Sequence, residues 1–224
     1  MRDSSGRDGS GREGSGATLT DEVYERVRAG IVNGTYRPNE RLIEVDLSES
    51  LDVSRTPIRE CLQRLAVDGL IVSRRRGWVV REHTLDEIAE IYDVRAALEG
   101  YAARLAATRA DDATLRHVAE IHRAVADDSN RAARERLVDG NDKFHHAIIE
   151  ATGNRRLGET IRRSCEYYFN YRIANLYSDD EARQSIAGHG AIVAALLDRN
   201  PDAAETAARA HVSQAMHDLI SKMR

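Results

Sequence analysis

The sequence predicts a mainly α-helical protein in two parts, a winged helix-turn-helix near the N-terminus and an antiparallel six-helix bundle after it. Three observations predict this. Residues from about 20 to 68 alternate helix, short helix, tight turn and helix, and a β-prone segment with a basic turn follows them. From Thr84 onward apolar residues recur at helical spacing and no strand pattern is found. The breaks in that second region are short and polar, as in antiparallel bundles.

The elements follow in order. Residues 1–17 are Gly, Ser and alternating charges with almost nothing to bury, so they read as a disordered tail. Residues 18–82 form the first folded unit. A helix from about Thr20 carries Val23, Val27 and Ile31 on one face and stops at Asn33-Gly34. A short helix spans about Glu44 to Leu51, and Asp52-Val53 turns the chain. Ser54 caps a helix running to about Asp68, with Ile58, Leu62 and Leu65 inward and Gly69 at its end. LIVSRRRGWVV then reads as a hairpin, or wing. In residues 83–224, Thr84 and Glu87 make a capping box for a helix to about Thr108. Further helices read at about 111–127, 130–151, 155–177, 180–199 and 202–222.

Composition narrows the function classes. The formal net charge of −4 is wrong for a protein that coats nucleic acid over its whole surface, although a local basic patch remains compatible with it. Residues 18–82 hold 11 Arg against 11 Asp or Glu, so the first unit is not basic overall. Cys61 and Cys165 form no CxxC and read as reduced thiols. No apolar run reaches the length of a membrane span, and the N-terminus has no hydrophobic signal core. These features place the expected location in the cytoplasm.

The helix-turn-helix layout directs attention to the start of its second helix, whose N-terminal residues enter the major groove in such motifs. Here they are Ser54-Arg55-Thr56-Pro57-Ile58-Arg59. Arg55 and Arg59 are four apart and share a face, and a guanidinium fork suits guanine O6 and N7. Ser54, Thr56 and the free amides of the first turn suit a phosphate. The tip of the wing, Arg74-Arg75-Arg76-Gly77, adds positive charge where it can reach the backbone or minor groove. Solvated surface charge is the competing reading, and the conjunction of layout, polar cap, paired arginines and basic wing outweighs it.

VSRTPIRECLQRLAVDGLI followed by RRRGWVV closely resembles the winged helix of the GntR family, and FHHAI…TGN with the later H…H resembles the FCD sensing domain of its FadR-type branch. The resemblance implies a homodimer on a short inverted-repeat operator, usually acting as a repressor. It also implies DNA contacts at Arg55, Thr56 and Arg59, with Gly77 at the wing tip and Arg76 before it. Val45 stands where the fatty-acid-responsive member of the branch has a DNA-contacting arginine, so that member's operator does not transfer to this chain.

Helix geometry sorts the eight histidines. Asn141 and His145 lie on the stripe of Leu137, Phe144, Ile148 and Ala151, whereas Asp142 and His146 are rotated about 100° away. His189 lies on the stripe of Ile186, Val193, Leu196 and Leu197, and His211 on that of Ala204, Ala208, Ala215 and Leu219. His83, His117, His122 and His217 gain no such support. Three inward imidazoles and an amide oxygen suit a transition metal, and separately hydrogen-bonded core histidines fit the spacing equally well. The resemblance favours the metal. It implies a divalent ion of the zinc, nickel or manganese class on Asn141, His145, His189 and His211, with Asn141 a neutral and weaker ligand than an aspartate.

Arg95 falls on the stripe of Ile88, Ile91, Tyr92, Leu98, Ala102 and Leu105. It reads either as an ion pair with Glu99 one turn on, or as a clamp for an effector carboxylate beside the metal. The resemblance, to domains that bind small organic or sugar acids, implies the second. Tyr167, Tyr168, Tyr171 and Arg172 read as plain core or as further lining of the same cavity. The leading functional expectation is therefore a metabolite-responsive transcription regulator. A helical metalloenzyme is the alternative class, since three histidines with an open position can activate water. Against it, the inward set offers no carboxylate base except Glu99, which Arg95 would neutralise.

Overall fold

The computed structural model describes residues 18–75, 77–127, 134–164 and 178–223, without the side chains of 127, 134–139, 163 and 164. Helix α1, Leu19–Val32, begins at a capping box in which Thr18 and Asp21 satisfy each other's backbone N–H groups. It ends where Gly34 takes a φ of +82° that a side chain would resist. Helix α2, Glu44–Leu51, closes on Asp52, a left-handed residue at φ +55°. The tight turn is set by that conformation, and α3, Arg55–Val67, follows directly.

The wing has one more strand than the sequence pattern predicts. Strand β1, Arg41–Leu42, joins β2, Ile71–Arg74, and β3, Gly77–Val80, in the antiparallel order β1-β3-β2. Leu42 pairs with Trp78, and Arg74 pairs with Gly77 across the two-residue tip. A strand of two residues has no periodicity to read, so β1 was invisible to the alternation argument. Gly77 sits at φ +122°, a conformation side chains resist.

Six helices follow among the described residues: α4 Leu85–Arg109, α5 Asp112–Asp127, α6 Arg134–Ala151, α7 Arg155–Ser164, α8 Asp179–Leu197 and α9 Pro201–Met223. The Thr84–Glu87 capping box is present as the sequence predicts. The long α4 and α9 pack along one another, α8 lies on α9, and α5 bridges α6 and α8. Much of this interior is alanine, with Ala103, Ala106, Ala107, Ala204 and Ala208 all buried, so helix axes approach closely. The predicted ends of 155–177 and 130–151 fall partly outside the described residues, as do Tyr167, Tyr168, Tyr171 and Arg172. One stripe assignment is corrected: Leu197 is 48% exposed, because α8 ends on it and the chain turns away at Arg199, a left-handed residue at φ +53°.

The first hydrophobic core crosses the join between the two parts. Val23, Val27, Ile31, Ile58, Leu62 and Leu65 pack in one cluster with Ile88 and Tyr92 of α4 and with Val212 and Leu219 of α9. The bundle's longest helices thus end inside the core of the N-terminal unit.

Candidate nucleic-acid interface and metal centre

At the start of α3 the polar side chains stand in solvent. Ser54, Arg55, Thr56 and Arg59 are exposed, while Pro57 and Ile58 beside them are buried and anchor the turn. Proline is tolerated here because the first-turn N–H groups have no partner inside the helix. Helices α1, α4 and α8 close their N-termini with reciprocal capping boxes, whereas Ser54 makes no side-chain cap bond on α3. The free amides and hydroxyl at this end, with the positive end of the helix dipole, suit an anion. Arg59 is engaged at rest: its guanidinium donates to Glu44 at 3.0 and 3.3 Å. Glu44 is held below the usual carboxylate range, mainly by that bond. This exposed pair is weak and screened by salt, so a phosphate or base edge can compete for Arg59. Gly77 is exposed at the wing tip, and Arg76 lies outside the described residues.

Three of the four predicted inward groups of the bundle converge. His145 of α6, His189 of α8 and His211 of α9 are all buried, and their donor nitrogens lie within 4.8 Å of one another. The Nε2 atoms of His189 and His211 are 3.1 Å apart. Nitrogens sharing a tetrahedral zinc at about 2.0–2.1 Å would sit about 3.3 Å apart, so the observed spacing fits a shared cation. Burial, reinforced by the neighbouring imidazoles, pushes His189 well below the ordinary histidine range and His211 down to about 3. Both rings are therefore neutral near pH 7, with lone pairs available. Asn141, one turn before His145, is half-buried, with its amide nitrogen 3.4 Å from the Asp142 carboxylate.

Gly188 lets the helices come this close. A Cβ there would sit 2.7 Å from His211 Nδ1, so only a hydrogen fits between α8 and that ring. Phe144 stacks against His189 at 4.2 Å between ring centroids and closes one side of the cluster.

Arg95 and Glu99 are joined, which is the ion-pair reading of the two the sequence left open. Arg95 Nε donates to Glu99 Oε1 at 2.9 Å, with side-chain exposures of 3% and 4%. The other Glu99 oxygen lies 2.8 Å from His145 Nδ1. Burial alone would raise the Glu99 carboxyl, but Arg95 and His145 outweigh it and hold the group ionised. A carboxylate beside the ring is the usual neighbour of a metal-ligating histidine, and Glu99 stands in that position behind His145. A cavity beside the cluster is lined by Glu99 and His145 and walled by Ala102, Ile148, Ala208 and Val212.

Two participants escaped the sequence reading. Glu99 entered it only as a partner for Arg95. His122 was set aside, yet its ring sits edge-on to His189 at 6.4 Å, and its Nδ1 is buried without a hydrogen-bond partner among the described residues. The signal was available, because His122 shares the stripe of Leu115, Val118 and Val125 on α5.

Comparison with known proteins agrees with this layout. A model of the gntR family of bacterial regulatory proteins matches residues 19–80, and the FCD domain model matches residues 90–214. The chain belongs to the GntR family. This GntR-family regulator is 30% identical over 195 residues to the HTH-type transcriptional regulator YdhC of Bacillus subtilis (strain 168), covering 85% of this chain and 86% of that one. It is likewise 30% identical to the Nta operon transcriptional regulator of Aminobacter aminovorans, covering 84% and 89%. Its fold matches that of E. coli McbR/YncC with a TM-score of 0.79 at 23% identity, covering 93% and 100%. The relatives are transcription regulators rather than enzymes, and GntR regulators bind DNA operators. FCD domains bind metal ions, and the three clustered histidines are where this one offers a site. Among the described residues no helix is long and apolar enough to cross a membrane.

Proposed function

We propose that this GntR-family regulator is a cytoplasmic repressor whose operator affinity is set by a small organic or sugar acid, bound in the FCD domain beside a divalent metal. The observation that carries the reading is the buried convergence of His145, His189 and His211, with Glu99 behind His145. These three imidazoles would hold the ion, with Asn141 as a fourth, neutral ligand. The bound metal would supply an electrophilic anchor for a carboxylate oxygen. Arg95 adjoins the site through Glu99, and its assignment as an effector contact is part of the proposal.

On the DNA side, the proposed contacts are Arg55 and Arg59 to base edges, Ser54 and Thr56 to phosphate, and Arg76 and Gly77 at the wing. The proposed assembly is a homodimer on an inverted repeat. In support, Val94 and Tyr101 are 45% and 46% exposed and seven residues apart on α4, an apolar stripe suited to a second copy. We place the division of the chain at a tail of residues 1–17, a DNA-binding unit of 18–82 and an effector unit of 83–224.

Val212 gives the two units a mechanical connection. It follows His211, lines the cavity, and belongs to the hydrophobic cluster of the DNA-binding unit. A ligand filling the cavity acts on a side chain already packed against that unit, so occupancy and operator affinity share a coupling free energy.

Gel shifts on the DNA upstream of the gene, with zinc, nickel or manganese and a panel of short carboxylic acids, test the proposal. The expected result is a specific complex released by one acid only when metal is present. Specific binding that survives Arg55→Ala/Arg59→Ala would refute the reading head. Acid release that survives His189→Ala/His211→Ala would refute the sensor.

A further inference from the structure

Glu44 is the first residue of α2, and it reaches across to Arg59 in the second turn of α3. The contact is two-pronged: Arg59 Nε donates to Glu44 Oε1 at 3.3 Å, and Nη2 donates to Oε2 at 3.0 Å. A guanidinium carries five N–H groups in a rigid plane. The contact occupies the edge made by Nε and Nη2, and it leaves the edge made by Nη1 and Nη2 directed away from Glu44. That outer edge holds two parallel N–H groups, the pair that fits guanine O6 and N7. Gripping one edge therefore fixes where the other points. The fold sets the distance between the two residues: Leu47 of α2 shares one buried cluster with Ile58 and Leu62 of α3, so the two helix starts keep their spacing.

The contact also takes up the charge of Arg59. Phosphate attracts a guanidinium through charge whatever the sequence, whereas a base edge demands direction. With Glu44 in place, a phosphate approaching Arg59 meets a neutralised pair and a carboxylate of its own sign. The Glu44 carboxyl is held below the usual range first by its bond to Arg59 and also by the charge of Arg55, so it stands in the field of both arginines. A base edge loses much less, because the directed pair of N–H groups is still offered to it.

We propose that Glu44 is a specificity-determining residue of the reading head, a positioning group that aims Arg59 at a base and withholds its charge from phosphate. The inference rests on the reading of Arg59 as a base contact and adds the residue that makes this contact selective. Discrimination then comes from weaker attachment to wrong DNA as well as from attachment to the right sequence.

Sites selected by the full-length protein from a pool of random-sequence duplexes provide the test. The selected consensus is then titrated beside a scrambled duplex at several salt concentrations. Preference for one guanine of the consensus should be lost in Arg59→Ala. Glu44→Gln keeps the size of the side chain and removes its charge. In that variant, preference for the same guanine should fall about fivefold, and the scrambled duplex should bind about threefold more tightly with a salt slope steeper by about one. Asp46→Asn controls for charge alone. It removes an exposed carboxylate two positions on, about 200° round the same helix, and should leave the guanine preference unchanged. A guanine preference that survives Glu44→Gln overturns the inference, and so does an equal loss of preference in Asp46→Asn. If the wild-type protein selects no consensus, or Arg59→Ala keeps all of it, the base contact itself falls, a result distinct from Glu44→Gln behaving as wild type.

Discussion

At the start of α3, hydroxyls and guanidinium groups stand in solvent around an uncapped helix end, and among the described residues Arg59 alone has a resting partner. In the middle of the bundle, imidazoles, a carboxylate and a guanidinium are packed in the core with their polar atoms 2.8–3.1 Å from one another. Both places are polar and both are proposed to bind a partner, yet they cost the fold very different amounts. Exposed groups keep their hydration, so the reading head can change with little effect on stability. Buried groups depend on each partner, so the cluster cannot change without disturbing the fold. A GntR-family regulator built this way can vary its exposed helix end more freely than its buried cluster.

The sharpest test of that contrast is Glu99→Ala. It leaves the Arg95 charge buried without its partner, and chemical denaturation is expected to show a loss of about 3–5 kcal/mol. A loss below about 1 kcal/mol would mean that water reaches the cluster and that the contrast is false. Next in size is the metal. Saturating zinc, at about 100 times its dissociation constant, should add about 2.7 kcal/mol to the metal-free protein. The gain should vanish in His189→Ala/His211→Ala, as read by thermal unfolding with and without a chelator.

At the other pole, Arg55→Ala should weaken operator binding by about tenfold or more while moving the unfolding midpoint hardly at all. A comparable drop in stability would place Arg55 in the fold rather than on the DNA. The smallest effect concerns acid. Burial pushes Glu181 up, but Lys222 at 2.9 Å and the Ser178 cap outweigh it and bring the carboxyl down to about 2. Its folded value lies below the ordinary 4.5, so its contribution is complete above pH 4.5 and is lost as the pH falls toward 2. Lys222→Met should flatten that part of the acid unfolding curve.

The same contrast governs what could be read from the sequence. Exposed features of the head follow local rules, so Ser54, Arg55, Thr56 and Arg59 stand on the predicted face of the predicted helix. The inward histidines were legible because helical periodicity reports which face is buried, and His145, His189 and His211 obey it. Partners across helices were not legible. Glu99 meets His145 from another helix, 46 positions away, and no spacing rule reaches that far. Val212 was one more apolar residue in sequence, and its place in both the cavity wall and the neighbouring core is a tertiary fact. Strand β1 was too short for its period to show.

Lys222, tied to Glu181, has a practical consequence. The chain has only two lysines, and the other, Lys143, is exposed on α6 two residues before His145. Apart from the terminal amine, a mild acylating dye therefore finds one open target, on the outer face of the helix that carries His145. A fluorophore placed there by ordinary labelling, without mutation, would report in real time whether the proposed ligand reaches the bundle.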